Sequence, residues 1–255
     1  MGGALLAGWL DQGISPDGLT VVDPHYDPAA GPAGIRSIAH PDSLPADFSP
    51  EIILLAVKPQ VMDEILPPYA RFDRAVFLSI AAGRTIASMQ RYLGEVAAIV
   101  RAMPNIPASV RRGVTGLIAN DHATEQQKKL CDRLVTAVGE AVWVETESQL
   151  DAVTAISGSG PAYLFLMAEA LAEAGEKLGL SREVASILAR ATVSGSGELL
   201  RQSPLPAATL RQNVTSPNGT TFAALQVLMQ EKGGLADLIG RATDAAARRA
   251  RELAG

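Results

Sequence analysis

IILLAVKPQVMDEILPPYARFDRAVFLSIAAG, Ile52 to Gly83, decides the fold of this 255-residue chain. Its two apolar runs, Ile52–Val57 and Ala75–Ala81, show no polar alternation, which is the pattern of strands buried on both faces. Between them Val61–Tyr69 reads as an amphipathic helix. Outward from this core, further strands are expected at Leu19–Asp23, Ala97–Met103, Val114–Ala119 and Ala141–Glu145, with helices at Ile86–Leu93 and Thr124–Val138. Apolar strands separated by helices predict a parallel sheet covered on both sides, a doubly wound, Rossmann-like α/β domain over residues 1–147.

From Leu150 onward the strand signals stop. Helices are expected at Ala162–Leu178, Arg182–Arg201, Phe222–Glu231 and Leu235–Leu253. Gly179-Leu180-Ser181 has the form of a helix stop and a new N-cap, with Glu183 in the following first turn. Residues 148–255 therefore read as an all-α domain, with the boundary near Thr146–Gln149.

Composition narrows the function classes. A content of 47% hydrophobic and 19% charged residues suits a packed globular chain, and 4% aromatic residues disfavours a β-sandwich. The net charge of −5, with no basic stripe interleaved with aromatics, excludes a nucleic-acid-binding surface. Arg248, Arg249 and Arg251 sit among Asp244, Glu252 and alanines, a solvated helix face. The single cysteine, Cys131, falls on the apolar side of a helix with Leu130 and Leu134 and reads as a buried structural thiol. One cysteine makes no intrachain disulfide, which fits a reducing compartment, and a cytoplasmic protein is expected. No basic region precedes the N-terminal apolar run, unlike a secretory signal. The most apolar helix carries Glu169, Glu173 and Glu176, so no membrane span is expected. His25, His40 and His122 lie in expected loops as surface residues, and no metal-ligand spacing is present.

The chain opens MGGALLAGWLDQG, a helix with Leu5, Leu6, Trp9 and Leu10 facing inward. A dinucleotide-binding fold runs strand, Gly-x-Gly-x-x-Gly turn, helix, strand, acidic residue. The helix, the second strand and the acid, Asp23, are recognisable, and Gly2 can stand for the last glycine. The first strand and most of the glycine turn are not in the sequence, so the expectation is a chain that begins partway into its fold. Asp23 has two readings, both open at this point. It can accept hydrogen bonds from the adenosine ribose and repel a 2′-phosphate, or it can simply form the turn before Pro24. No arginine follows before Arg36, which leans the cofactor choice from NADPH toward NADH.

Three consecutive strand ends carry small or polar residues: LLAVKPQ (Leu54–Gln60), SIAAG (Ser79–Gly83) and RAMPNIP (Arg101–Pro107). Open α/β sheets bind ligands at this edge, so Val57, Lys58, Pro59, Ala81, Ala82, Gly83 and Asn105 join Gly2 and Asp23 as cofactor-binding candidates. Two longer strings in the helical half, DAVTAISGSGPAYLFLMAEAL (Asp151–Leu171) and LRQNVTSPNGTTFAAL (Leu210–Leu225), complete the pattern. Together these strings closely resemble the pyrroline-5-carboxylate reductase family, across essentially the whole chain. Asn218 departs from the family's usual glycine, although Asn tolerates a left-handed backbone better than other residues with a side chain.

The resemblance implies reduction of 1-pyrroline-5-carboxylate to L-proline by hydride from NADH or NADPH, the last step of proline biosynthesis. It implies a substrate cradle from Ser216, Asn218, Gly219 and Thr220 at a helix N-terminus, and a hydrogen bond from Thr221 to the ring nitrogen. On residue chemistry alone Ser216, Thr220 and Thr221 read more readily as helix caps, and it is the resemblance that turns the reading toward substrate. By resemblance, Ser157, Gly158, Ser159 and Gly160 line the cleft, Lys58 reaches cofactor phosphate or ribose, and Asn105 lies on the nicotinamide side. The helical half is then a dimerisation domain, with Ala168, Ala172 and Gly175 spaced for close approach to a second copy, giving a homodimer or a higher homo-oligomer. Two rival readings stand beside this one. A β-hydroxyacid or imine reductase of the same plan would want a Lys or Asp near the start of the long helix, which offers Glu169, Glu173 and Lys177 instead. A non-catalytic helical dimer module would account for the absent strand.

Overall fold

The computed structural model describes residues 1–29 and 31–254. Contacts divide the chain into two compact units: Met1–Gly158 with Ala247 onward, and Ser159–Ala246. The first unit thus runs past residue 147, the sequence-based boundary, because helix α5 (Glu147–Val153) packs on the sheet rather than opening the helical half.

In the first unit α1 (Gly2–Asp11) is followed by β1 (Thr20–Val22) and β2 (Arg36–Ile38), a parallel pair. Five further strands form a second sheet in sequential order: β3 (Ile52–Leu55), β4 (Val76–Ser79), β5 (Ala98–Met103), β6 (Gly113–Ala119) and β7 (Gly139–Trp143). Among the described residues no strand joins β1 to β3. The parallel pair β1-β2 and the parallel run β3-β4-β5 are each consistent with part of the dinucleotide-fold order 3-2-1-4-5-6.

The sheet is not parallel throughout, as the apolar runs had suggested. β6 runs antiparallel to β5, and β7 pairs parallel with β6. The cause is connection length: residues 104–112 allow only a short 3₁₀ turn (Ile106–Val110) between β5 and β6, too little for a crossover helix. By contrast α2 (Met62–Ile65), α3 (Ile86–Leu93) and α4 (Glu125–Thr136) make crossovers between parallel neighbours. The helix expected over Val61–Tyr69 shrinks to one turn because Pro59, Pro67 and Pro68 flank it and lack amide donors.

Alternation along the strands feeds two cores. Leu55, Phe77 and Ile99 face Met62, Leu66, Met89 and Leu93 on one side. Val76, Leu78, Val100 and Leu117 face Cys131 and Val135 of α4 on the other. A third cluster holds α1: Leu5 and Trp9 pack with Leu134 and Val138, and the Trp9 indole donates to the Leu134 carbonyl at 2.8 Å. Burial pushes the Cys131 thiol up to about 12, so it stays a packed, protonated group, as its place in the sequence suggested.

The second unit contains α6 (Gly160–Lys177), α7 (Arg182–Gln202), α8 (Ala207–Asn213), α9 (Thr220–Leu228) and most of α10 (Leu235–Ala254). Between α6 and α7 the amide of Leu180 donates to Gly175 O and that of Gly179 to Glu176 O, with Gly179 at φ +96°, a Schellman stop. Ser181 then caps α7 by accepting from Val184 N–H. Gly175 does not keep its face for a second copy as expected: a Cβ there would lie 3.0 Å from Ala185 Cβ of the same chain. Among the described residues of this unit only Pro161, Ala185 and Ala189 are buried apolar side chains, while Leu164, Phe165, Leu166, Ile187 and Leu188 are exposed. No described helix is long and apolar enough to cross a membrane.

Candidate active site

Most cofactor candidates sit at the carboxyl ends of β1, β3, β4 and β5. Gly2 opens α1, and a Cβ on it would stand 3.0 Å from Ala56 Cβ just beyond β3. That close helix-to-strand approach is what the last glycine of the fingerprint provides, and it leaves the first amides of α1 without a side-chain cap. Asp23 follows β1, and its Oδ1 accepts the His25 amide at 2.8 Å. The turn-forming reading is therefore realised, and it engages only one of the two carboxylate oxygens. Val57 packs on the core, Lys58 is exposed, and Pro59 starts a 3₁₀ turn.

After β4, Ala81 is buried and Ala82 exposed, while Gly83 takes φ +73°. Its lack of a Cβ is used by the chain itself: a Cβ would lie 2.7 Å from the Leu253 carbonyl. Asn105 is engaged differently from its sequence-based role on the nicotinamide side. Its Nδ2 donates to Ser157 O and its Oδ1 accepts from Val114 N–H, both at 3.0 Å. Asn105 thus ties the end of β5 to the SGSG loop. Ser157 and Gly158 of that stretch lie in a π turn over Thr154–Gly158, a local irregularity frequent at functional sites. Gly158 lets the loop close on β5, since a Cβ there would be 2.8 Å from Met103 Cε.

Motif reading passed over Arg101. The signal was available: a charge inside an otherwise apolar strand must be paired to be buried. Its side chain is 7% exposed and is paired with Glu147 of α5. Glu147 Oε1 also accepts the Ile86 amide at 3.0 Å. Arg101 lines a pocket of about 50 Å³ with Ala81, Gly83, Met103, Asp151 and Thr154.

The second unit supplies the other candidates. Ser159 precedes α6 and Gly160 is its first residue, with open space where a Cβ would project. Ser216 to Gly219 form a tight turn, closed by Gly219 N–H to Ser216 O at 3.0 Å. A Cβ on Gly219 would collide with Ser216 Oγ at 2.3 Å. Thr220 and Thr221 begin α9, whose N-terminus has no side-chain cap, so neither Ser216 nor the threonines act as the caps they could have been. Exposed amides and hydroxyls there can receive an anion.

Asn218 adopts φ +56°, the left-handed region that glycine occupies freely. Asn218→Gly is expected to change stability by less than about 1 kcal/mol, whereas Asn218→Val should cost about 1–3 kcal/mol. Thermal melts check this; equal behaviour of the two variants would contradict it.

His25, His40 and His122 are exposed, and among the described residues no group of His, Cys, Asp or Glu could hold a metal. A Rossmann-like sheet with small and polar residues at its strand ends, followed by a helical unit, is the architecture of dinucleotide-binding proteins. Residues 147–253 match the family model described as pyrroline-5-carboxylate reductase dimerisation. The chain is 41% identical to a pyrroline-5-carboxylate reductase of Pseudomonas aeruginosa, covering 100% of this chain and 93% of that one. A solved pyrroline-5-carboxylate reductase from Coxiella burnetii superposes with a TM-score of 0.92 at 36% identity, covering 99% of this chain and 94% of that one. The Plasmodium falciparum enzyme with NADP bound gives 0.82 at 29% identity, covering 100% and 95%. The chain belongs to the pyrroline-5-carboxylate reductase family.

Proposed function

We propose that this chain reduces 1-pyrroline-5-carboxylate to L-proline with NADH or NADPH, the closing step of proline biosynthesis. The observation that carries the reading is the uncapped α9 N-terminus behind the Ser216–Gly219 turn, in a chain similar to curated reductases over its full length. That similarity also disfavours the reading as a non-catalytic helical module.

When bound, the nicotinamide supplies a hydride to the imine carbon. The protein's part is placement and charge. The amides of Asn218 and Thr220, with the Ser216 hydroxyl, hold the substrate carboxylate, and Gly219 closes the turn that presents them. The Thr221 hydroxyl hydrogen-bonds the ring nitrogen, which must end protonated. Gly2 and the α1 N-terminus face the pyrophosphate, Asp23 the adenosine ribose, and Lys58 a phosphate or ribose oxygen. Val57, Pro59, Ala81, Ala82 and Gly83 border the nicotinamide half. Asn105 serves by fixing Ser157, and Ser157, Gly158, Ser159 and Gly160 line the substrate side.

Functionally we divide the chain into a cofactor domain, 1–147, and a dimerisation and substrate domain, 148–255. The second unit buries so little apolar surface that a second copy is the partner we assign to its exposed helices, giving a homodimer or higher homo-oligomer. We place the protein in the cytoplasm, in keeping with its single buried thiol.

Two experiments test this reading. Loss of NADH or NADPH absorbance on adding pyrroline-5-carboxylate should be rapid and proline-forming; a folded protein that oxidises neither cofactor would sink the assignment. The free oxygen of Asp23 leans the preference to NADH. Asp23→Ser should therefore raise the NADPH-to-NADH ratio of kcat/KM by about tenfold. An unchanged ratio would leave Asp23 as a turn-former alone.

A further inference from the structure

We propose that Arg101 and Glu147 are positioning residues for the nicotinamide end of the cofactor. Arg101 leaves β5 two positions before its end and is 6% exposed overall, so its charge has to be matched inside the protein. The match is Glu147, in the first turn of α5, whose place is fixed by a capping box between Thr146 and Gln149. The same Glu147 oxygen accepts the first amide of α3, Ile86 N–H. One carboxylate therefore holds three elements together: β5, the start of α5, and the loop that leads from β4 through Ala81, Ala82 and Gly83 into α3.

That loop has few other side-chain restraints. Ala81 N–H reaches Ser79 Oγ at a long 3.4 Å, and Arg84 pairs with the half-exposed Asp63. Fixing Ile86 from the far side sets where Ala81 to Gly83 lie, and Arg101 lines the same small pocket as Ala81 and Gly83. The pair touches neither hydride donor nor acceptor; it acts through the loop. A short chain of charge-assisted hydrogen bonds suits this task, since such bonds are strong and directional.

This inference rests on the reductase reading for the identity of the cofactor. The test compares NADH with ADP-ribose, which lacks the nicotinamide, by calorimetric titration of the full chain and of Glu147→Gln. The neutral amide keeps the shape and one acceptor for Ile86, but loses the charge opposite Arg101. NADH is expected to bind about tenfold more weakly, ADP-ribose within about twofold of the parent, and kcat to fall about tenfold with KM for pyrroline-5-carboxylate unchanged. Equal weakening of both nucleotides, or of neither, overturns the proposal, because a purely structural pair would not single out the nicotinamide. Where Glu147→Gln does not fold, Arg101→Lys carries the same selective expectation and the same refutation. Failure of the reductase reading is separately visible, since the parent chain would then turn over no imine while the two titrations still report on the loop.

Discussion

Thr221→Val is expected to lower kcat by about a hundredfold, the scale of a lost proton-delivering group, with the melting temperature nearly unchanged. The substitution is close in shape and removes only the hydroxyl. Among the described residues that hydroxyl caps no helix and has no hydrogen-bond partner, so nothing in the fold is left unsatisfied. Half-burial at the first turn of α9 allows it to meet a ligand without being solvated on every side. On the proposed assignment Thr221 helps the ring nitrogen gain its proton as the imine is reduced, so the loss should appear in kcat and in kcat/KM together. KM for the imine should move little, since we assign the carboxylate to the neighbouring amides and not to this hydroxyl. Steady-state kinetics with both cofactors check this. A variant that keeps kcat but loses KM would assign Thr221 to the carboxylate instead.

The second large effect concerns stability. Gly139 begins β7 opposite Gly113 of β6, with φ +154°. A Cβ there would fall 1.9 Å from the Gly113 carbonyl oxygen, a backbone atom that cannot swing aside. Gly113 is itself confined, since its own Cβ position lies 2.9 Å from Ala108. Gly139→Ala must therefore break the β6–β7 register where it starts. We expect a loss of about 3 kcal/mol or more, or roughly 6–12 °C in Tm for a domain of this size. Gly3→Ala is the matched control, because it sits in α1 with open space around it. It should be neutral or gain up to about 1 kcal/mol. Calorimetric melts of the two variants decide the point; a Gly139→Ala protein that melts with the parent would contradict the geometry.

Long, strongly patterned elements were legible in the sequence. The Ile86–Leu93 helix matches its expected bounds, and the apolar strands match theirs within a few residues. Short elements were not. β2, Arg36–Ile38, offers one strongly apolar residue between turn-rich segments, and its pairing with β1 is what makes it a strand. Helix α5 hid across the apparent domain boundary, since seven residues are too few for periodicity to speak. The reversal of β6 was readable only from the short connection after RAMPNIP, not from the strand itself.

The candidate site divides the same way. Gly2, Asn218 and Gly219 stood out in the sequence as small or turn-forming residues, and each occupies a position of close approach or left-handed backbone. Asn105 was legible as a strand-end candidate but its partners were not, and Arg101 was passed over, because both engage groups distant in sequence: Ser157 lies 52 residues from the one, and Glu147 lies 46 from the other. Hydrogen-bond partners at that separation are a product of topology and leave no local pattern.

The most direct test of the account follows the hydride itself. Cofactor carrying deuterium at both positions of C4 of the dihydronicotinamide is supplied to the chain with pyrroline-5-carboxylate, and the product is read by mass spectrometry and NMR. The account predicts L-proline carrying one deuterium, on the ring carbon that was doubly bonded to nitrogen. Proline without the label, or cofactor that retains it while the imine is unchanged, would contradict hydride transfer by this chain.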